Sequence, residues 1–161
     1  MNRRTFLSVG VAVGASAVAG RVWWGRFEEP VARVDLDGAA ASATRVARLG
    51  ALGLEPETAA LLGLLPDPGA AAALGARAEA TGAFGDEATV RSQLVSKLLE
   101  GPASASSLED VRERWLHHVT LDFDGGRVLA VDGWLLARTE AELYVLAAHV
   151  ERRPGWSLED R

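Results

Sequence analysis

The sequence predicts a mainly α-helical protein: a small bundle of about five to six helices with one C-terminal β-hairpin, preceded by an N-terminal signal or anchor helix. Three observations predict this class. Apolar residues recur at spacings of three and four through most of the body. One short segment is instead apolar on both sides of an Asp-Gly pair, which is typical of a hairpin. An uncharged run follows two arginines at the start of the chain.

The first twenty residues have the layout of an export signal. The chain opens with Arg3 and Arg4, and residues 6–20 carry no charge. Together with Phe6 and Leu7, the two arginines resemble the twin-arginine signal, whose pattern is Arg-Arg-x-Phe-Leu. The resemblance implies passage of an already folded body through the twin-arginine export machinery. The expected location is the periplasm or the outer face of the cytoplasmic membrane.

The sequence leaves two fates open for this leader. Ala15-Ser16-Ala17 fits a small-x-small cleavage site. The alternative is a retained membrane anchor, because a helix extended from Thr5 to Trp24 spans about 30 Å, the thickness of a hydrocarbon core. In both cases the opening arginines stay cytoplasmic and the remainder lies outside.

Composition and charge exclude several classes of function. The chain has no cysteine, which excludes disulfides, thiolate zinc sites and iron–sulfur clusters. Of its 17 basic residues four precede Phe27, whereas all 22 acidic residues follow it, so residues 27–161 carry a net charge of −9. Such an acidic body argues against a nucleic-acid partner. No dinucleotide, phosphate-loop or Gly-x-Ser-x-Gly motif is present, and no cofactor is predicted.

We divide the chain into four segments. Residues 1–26 form the signal or anchor, and residues 27–41 form a connector in which Val31, Val34 and Leu36 suit one short strand. Residues 42–153 form the helical domain, with the hairpin at about 127–137. Residues 154–161 form a C-terminal tail.

Four helices are predicted in the first half of the domain. Ser42 is expected to cap the first, which Gly53 ends. Pro56 suits the first turn of the second. Asp67 starts the third, an alanine-rich run to Ala80, and Asp86 starts the fourth, which ends before Gly101 and Pro102.

The second half combines two helices with the hairpin. Ser107 and Asp110 approximate a capping box for a fifth helix, which Gly125 and Gly126 end. Asp132-Gly133 then predicts a type I′ turn between two strands. Thr139 and Glu142 have the spacing of a second capping box, which opens a last helix that Pro154 ends.

One cluster has the chemistry of metal ligands. His118 and Asp122 lie four residues apart and share a helix face, with His117 beside them and His149 as a candidate third ligand on the last helix. The simpler interpretation is a ladder of exposed charges, Arg114, His118 and Asp122, beside the apolar stripe. No catalytic residue is predicted.

Trp134 is the side chain most suited to a partner contact. It directly follows the hairpin turn, so it either packs under the hairpin or presents a flat apolar anchor, as tryptophan often does at interfaces. Packing is the favoured interpretation of the two.

The C-terminal third carries a second resemblance. Asp122–Arg127 and Val131–Ala141 resemble the signature of small bacterial twin-arginine-signal proteins of undefined role, roughly Asp-Phe-x-x-Gly-Arg followed by Val-x-Gly-Trp-x-Leu-Ser-x-Thr-Glu-Ala. Ala137 stands where that pattern has serine. In layout the chain also resembles the small subunits of exported dehydrogenases, such as gluconate dehydrogenase subunit 3. That resemblance implies a helical accessory subunit without a cofactor of its own.

Three hypotheses follow for function. The first is a non-catalytic accessory or anchoring subunit of an exported redox enzyme complex, bound to the large subunit of that enzyme. The second is a structural subunit of a larger membrane complex, held there by an uncleaved leader. The third is a metal-dependent enzyme that uses His117, His118 and Asp122.

Overall fold

The computed structural model describes residues 36–100 and 107–155. The leader, Val31 and Val34 of the connector, and the tail from Trp156 therefore lie outside the described residues. Within the described ranges no single helix is both long and apolar enough to cross a membrane. One pair of helices, Pro56–Gly63 and Pro68–Glu79, satisfies length and composition only when taken together, and the pair is bent by 99°.

The described body is mainly helical with a C-terminal two-stranded antiparallel hairpin, as the sequence predicts. The fourth helix continues into a short π-helical turn, Val95–Leu99. The elements in chain order are α1 (Leu36–Ala51), α2 (Pro56–Gly63), α3 (Pro68–Glu79), α4 (Glu87–Leu94), α5 (Leu108–Asp124), β1 (Val128–Val131), β2 (Trp134–Ala137) and α6 (Arg138–Glu151).

Three of the predicted helix starts are confirmed by their hydrogen bonds. The Asp67 carboxylate accepts from the Ala70 N–H at 2.9 Å, and the Asp86 carboxylate accepts from the Thr89 N–H at 2.9 Å. At the start of α5 both bonds of a capping box are present between Ser107 and Asp110. These side chains satisfy N–H groups that have no partner inside a helix.

The first helix begins earlier than predicted. Helix α1 starts at Leu36, so that residue is helical and is not part of a strand. Ser42 lies inside the helix, where its hydroxyl accepts from Nη2 of Arg45 at 3.1 Å and does not cap. The run of alanines that precedes Ser42 favours continuation of the helix and accounts for the difference.

The hairpin has the predicted turn. Asp132 and Gly133 have φ values of 47° and 83°, the left-handed conformation that a type I′ turn requires at both positions. Val131 pairs with Trp134, and Ala130 pairs with Leu135. Cross-strand partners share a face of the hairpin, so Trp134 and Leu135 lie on opposite faces.

Helix α6 lies at the centre of the bundle. It packs against α3, α4, α5 and the hairpin, and most of its side chains are buried. Gly75 lets α3 approach it closely, because a Cβ at that position would collide with the backbone carbonyl of Tyr144. The largest fully buried apolar side chains are Leu61, Leu62, Leu65, Val90, Leu94, Leu98, Leu143, Val145, Leu146 and Val150.

We predict that Gly75→Ala destabilises the protein by about 3 kcal/mol, since the added methyl meets rigid backbone and forces α3 away from α6. Gly50→Ala is the matched control. That helical position has open space around it, and alanine there raises the free energy of unfolding by about 0.5–1 kcal/mol. Urea unfolding of both variants measures the difference. Equal stability of the two variants would contradict the close approach of the helices.

Candidate functional site

Asp122 is buried and joins three elements. It lies in the last turn of α5 and is 4% exposed. Its Oδ2 accepts a hydrogen bond from the backbone N–H of Thr139 in α6 at 2.6 Å. Its Oδ1 accepts from Nε of Arg127, just before β1, at 2.7 Å. The carboxylate thus links the end of α5 to the root of the hairpin and to the first turn of α6.

The start of α6 explains why a carboxylate from another helix is needed. The N-cap residue is Ala137, which has no side-chain acceptor, and α6 follows β2 without a connecting loop. The Glu140 carboxylate accepts a hydrogen bond from the Ala137 N–H at 3.3 Å, and the Asp122 carboxylate accepts one from the Thr139 N–H. The predicted capping box of Thr139 and Glu142 is therefore wrong. Ala137 is the N-cap, and Thr139 is the second residue of the helix.

The electrostatics of Asp122 follow from these contacts. Burial by itself would raise the pKa of its carboxyl group. The hydrogen bonds from Thr139 and the charge and hydrogen bond of Arg127 outweigh burial, so the pKa of Asp122 lies below its ordinary value. The ionised form is the one that the fold stabilises.

This role conflicts with both sequence-based interpretations of the histidine cluster. Asp122 is buried, so it does not belong to an exposed ladder with Arg114 and His118. Both of its oxygens already accept protein hydrogen bonds. The rings of His117 and His118 lie edge to face with centroids 6.0 Å apart.

The candidate third ligand lies elsewhere. Nε2 of His149 lies 3.7 Å from a carboxylate oxygen of Glu79, and Nδ1 lies 2.8 Å from Nη2 of Arg152. Across residues 36–100 and 107–155, no group of three His, Cys, Asp or Glu side chains is placed to hold a metal ion. The geometry therefore gives the metal hypothesis no support.

Glu142 is a second buried carboxylate, at a position where the sequence predicts a helix cap. It is 2% exposed and is flanked by two cations. One oxygen accepts from Nζ of Lys97, the single lysine of the chain, and the other accepts from Nε of Arg138 at 3.1 Å. The guanidinium of Arg138 also lies 4.2 Å above the ring of Phe84. The π-helical turn positions Lys97 for this contact. In the sequence, the one feature that marked this residue is that it is the single lysine in a chain otherwise rich in arginine.

Glu140 and Tyr144 form a polar pair within α6. The tyrosine hydroxyl donates to Oε1 of Glu140 at 2.8 Å. Burial raises the pKa of Glu140, and the hydrogen bonds from Tyr144 and Ala137 oppose that effect. Burial and the nearby carboxylate raise the pKa of Tyr144. The pair satisfies two polar groups next to the contact between α3 and α6.

Trp134 is 54% exposed, and its neighbour Leu135 is 39% exposed. The favoured expectation that Trp134 packs under the hairpin is therefore only partly met. The tryptophan shares a face of the hairpin with its buried partner Val131, but it lies next to the turn and is more than half exposed. Leu135 lies on the opposite, outer face with the exposed Ala130. The end of the hairpin thus presents apolar surface on both sides.

Comparison of the chain with protein-family models, with curated proteins and with solved structures finds no match.

We predict that Asp122→Ala lowers the free energy of unfolding by about 3 kcal/mol, because it leaves the buried Thr139 N–H without an acceptor and removes a cap. Asp124→Ala is the matched control, since Asp124 is exposed two residues further along the same helix. Its effect stays within about 0.5 kcal/mol. Urea unfolding at pH 7 checks both values. A loss in the free energy of unfolding below about 1 kcal/mol for Asp122→Ala would contradict the capping role.

The lowered pKa of Asp122 also predicts a pH dependence. The carboxylate contributes stability above its unfolded pKa of about 4, and this contribution is lost as pH falls through the lower folded value. The stability difference between the wild type and Asp122→Asn is therefore constant from pH 7 to about pH 5 and shrinks below about pH 4. Unfolding curves across this range measure it. A difference that stays constant to the acid limit of folding would contradict the prediction.

Proposed function

We propose that this chain is a non-catalytic accessory subunit of an exported redox enzyme complex, in which it escorts and anchors a folded large subunit that has no leader. The leader pattern of Arg3, Arg4, Phe6 and Leu7 supports the export part of the proposal. The twin-arginine route carries folded proteins, so a partner bound in the cytoplasm crosses with the chain that bears the signal.

The observation that carries the proposal is the exposed apolar surface at the end of the hairpin. Trp134 and Leu135 are consecutive, large and exposed, whereas Leu136 and Ala137, which follow them in β2, are buried. Tryptophan is enriched among the residues that contribute most to protein–protein binding. The hairpin packs on the bundle, and Arg77 of α3 pairs with Asp132 of its turn, so the exposed Trp134 and Leu135 are presented from a fixed support. Such a surface suits contact with a protein.

The buried site at Asp122 holds this hairpin in place. The backbone carbonyl of Asp122 accepts from the Arg127 N–H at 2.8 Å, and the Arg127 carbonyl accepts from the Arg138 N–H at 2.9 Å. The Asp122 side chain binds both Arg127 and Thr139. The two ends of the hairpin are thus joined to one carboxylate, which preorganises Trp134 and Leu135 for binding and lowers the entropy lost on association.

Co-purification from native membranes in mild detergent tests the proposal. We expect the wild-type chain to bring down one partner in stoichiometric amount, and the double variant Trp134→Ala, Leu135→Ser to bind it at least tenfold more weakly. Leu116→Ser is the matched control, because Leu116 is 46% exposed but lies on α5. Thermal unfolding of all variants shows that they are folded.

Three further outcomes test the proposal. The partner is expected to lack a leader of its own and to remain in the cytoplasm when Arg3 and Arg4 are both changed to lysine. Recovery of the wild-type chain only as a free monomer overturns the proposal. A partner that the hairpin variant and the Leu116 variant retain equally overturns the assignment of the hairpin as the contact.

A further inference from the structure

The buried carboxylate of Glu142 holds two cations at the surface of the bundle. One of its oxygens accepts from Nζ of Lys97, and the other accepts from Nε of Arg138. The carboxylate is almost completely buried, whereas the side chains of Lys97 and Arg138 are 32% and 34% exposed. The negative charge therefore lies inside the bundle, and solvent meets the two positive charges.

Both cations are held in defined positions. Lys97 lies on the π-helical turn, which brings its ammonium group to Glu142. The guanidinium of Arg138 stacks on the ring of Phe84 at 4.2 Å while its Nε binds the same carboxylate. Because these contacts already restrict both side chains, a ligand that binds them loses little further conformational entropy.

Arg114 of α5 adds a third positive charge beside the same turn. Its Nη1 lies 3.5 Å from the carbonyl oxygen of Leu98, the residue that follows Lys97. In the described part of the chain, Glu142 is the one acid within ion-pair distance of any of these three cations. Three positive charges thus accompany one negative charge, which leaves a surplus of two in an otherwise acidic body.

Stability does not account for this surplus of positive charge. A buried ion pair stabilises a fold no better than apolar residues of similar volume, because taking the charges out of water is costly. One cation would be enough to neutralise Glu142. The other N–H groups of Lys97 and the two Nη atoms of Arg138 have no protein acceptor among the described residues. These donors are available to an anion from solvent.

We propose that Lys97, Arg138 and Arg114 form a binding site for a phosphate group, either free or on a small-molecule ester. A phosphate dianion matches the surplus of two positive charges. The Nη edge of Arg138 suits two oxygens of one phosphate, and the ammonium group of Lys97 suits a third. A carboxylate offers two oxygens and one negative charge, so it fits this set of donors less well. The site requires neither export nor the hairpin contact.

NMR of the full-length chain tests the proposal through its single lysine. Carbon-13 labelling of the lysine ε-carbon gives one signal, which reports on Lys97 without further assignment. We expect inorganic phosphate to shift this signal saturably, and sodium chloride and sodium acetate at matched ionic strength to give no saturable shift. Phenyl phosphate separates the two sources of the group. Tighter binding of this ester identifies a phosphorylated small molecule, and equal or weaker binding identifies free phosphate.

Variants that keep Lys97 as the reporter provide the controls. In Arg138→Gln we expect phosphate to bind about tenfold more weakly, because the guanidinium is lost. Arg48→Gln is the matched control, since Arg48 is exposed in the last turn of α1, and it is expected to bind as the wild type does. A Lys97 signal that phosphate does not saturate, or that acetate saturates with equal affinity, overturns the proposal, as does wild-type affinity in Arg138→Gln. The titrations of the wild-type chain hold even if Arg138→Gln fails to fold.

Discussion

The backbone N–H groups at the start of α6 need hydrogen-bond acceptors, and this need is the constraint on which the rest of the structure depends. A helix exposes N–H groups in its first turn that need acceptors from elsewhere. Here α6 follows β2 directly and its N-cap is Ala137, so the cap residue itself has no side-chain acceptor for the N–H groups of the first turn. Asp122 supplies the acceptor from the end of α5. Because the same carboxylate holds Arg127, the hairpin between the two helices is constrained at its root.

Buried acids are the second recurring theme of the fold. Asp122 and Glu142 are both almost completely buried. Asp122 is satisfied by Arg127 and by the Thr139 N–H of α6, and Glu142 by Lys97 of the π-helical turn and by Arg138 of its own helix. An unpaired charge in the interior is costly, so such a carboxylate requires all its partners to be in place together. Polar groups therefore determine how α5, the hairpin and the π-helical turn sit on α6, while the leucines and valines of the core supply apolar burial.

The interior is closely packed, and two surface features stand out on it. The end of the hairpin presents apolar side chains from a constrained root, which suits binding without reorganisation. The end of α6 instead carries an ion pair between Arg152 and Glu79 of α3. The two features lie on different elements and are formed by separate contacts.

Local signals in the sequence determined much of this protein. The caps at Asp67, Asp86 and Ser107 and the turn at Asp132-Gly133 are formed by residues within three positions of one another, so their patterns were sufficient to predict them. The roles of Asp122, Glu142 and Lys97 depend on residues 17 to 45 positions away. Spacing along one helix could not show that Asp122 turns inward, because its partner is the backbone of another helix. Only the tertiary structure decided which acids are buried, since burial of a charge depends on cations and N–H groups that distant elements bring to it.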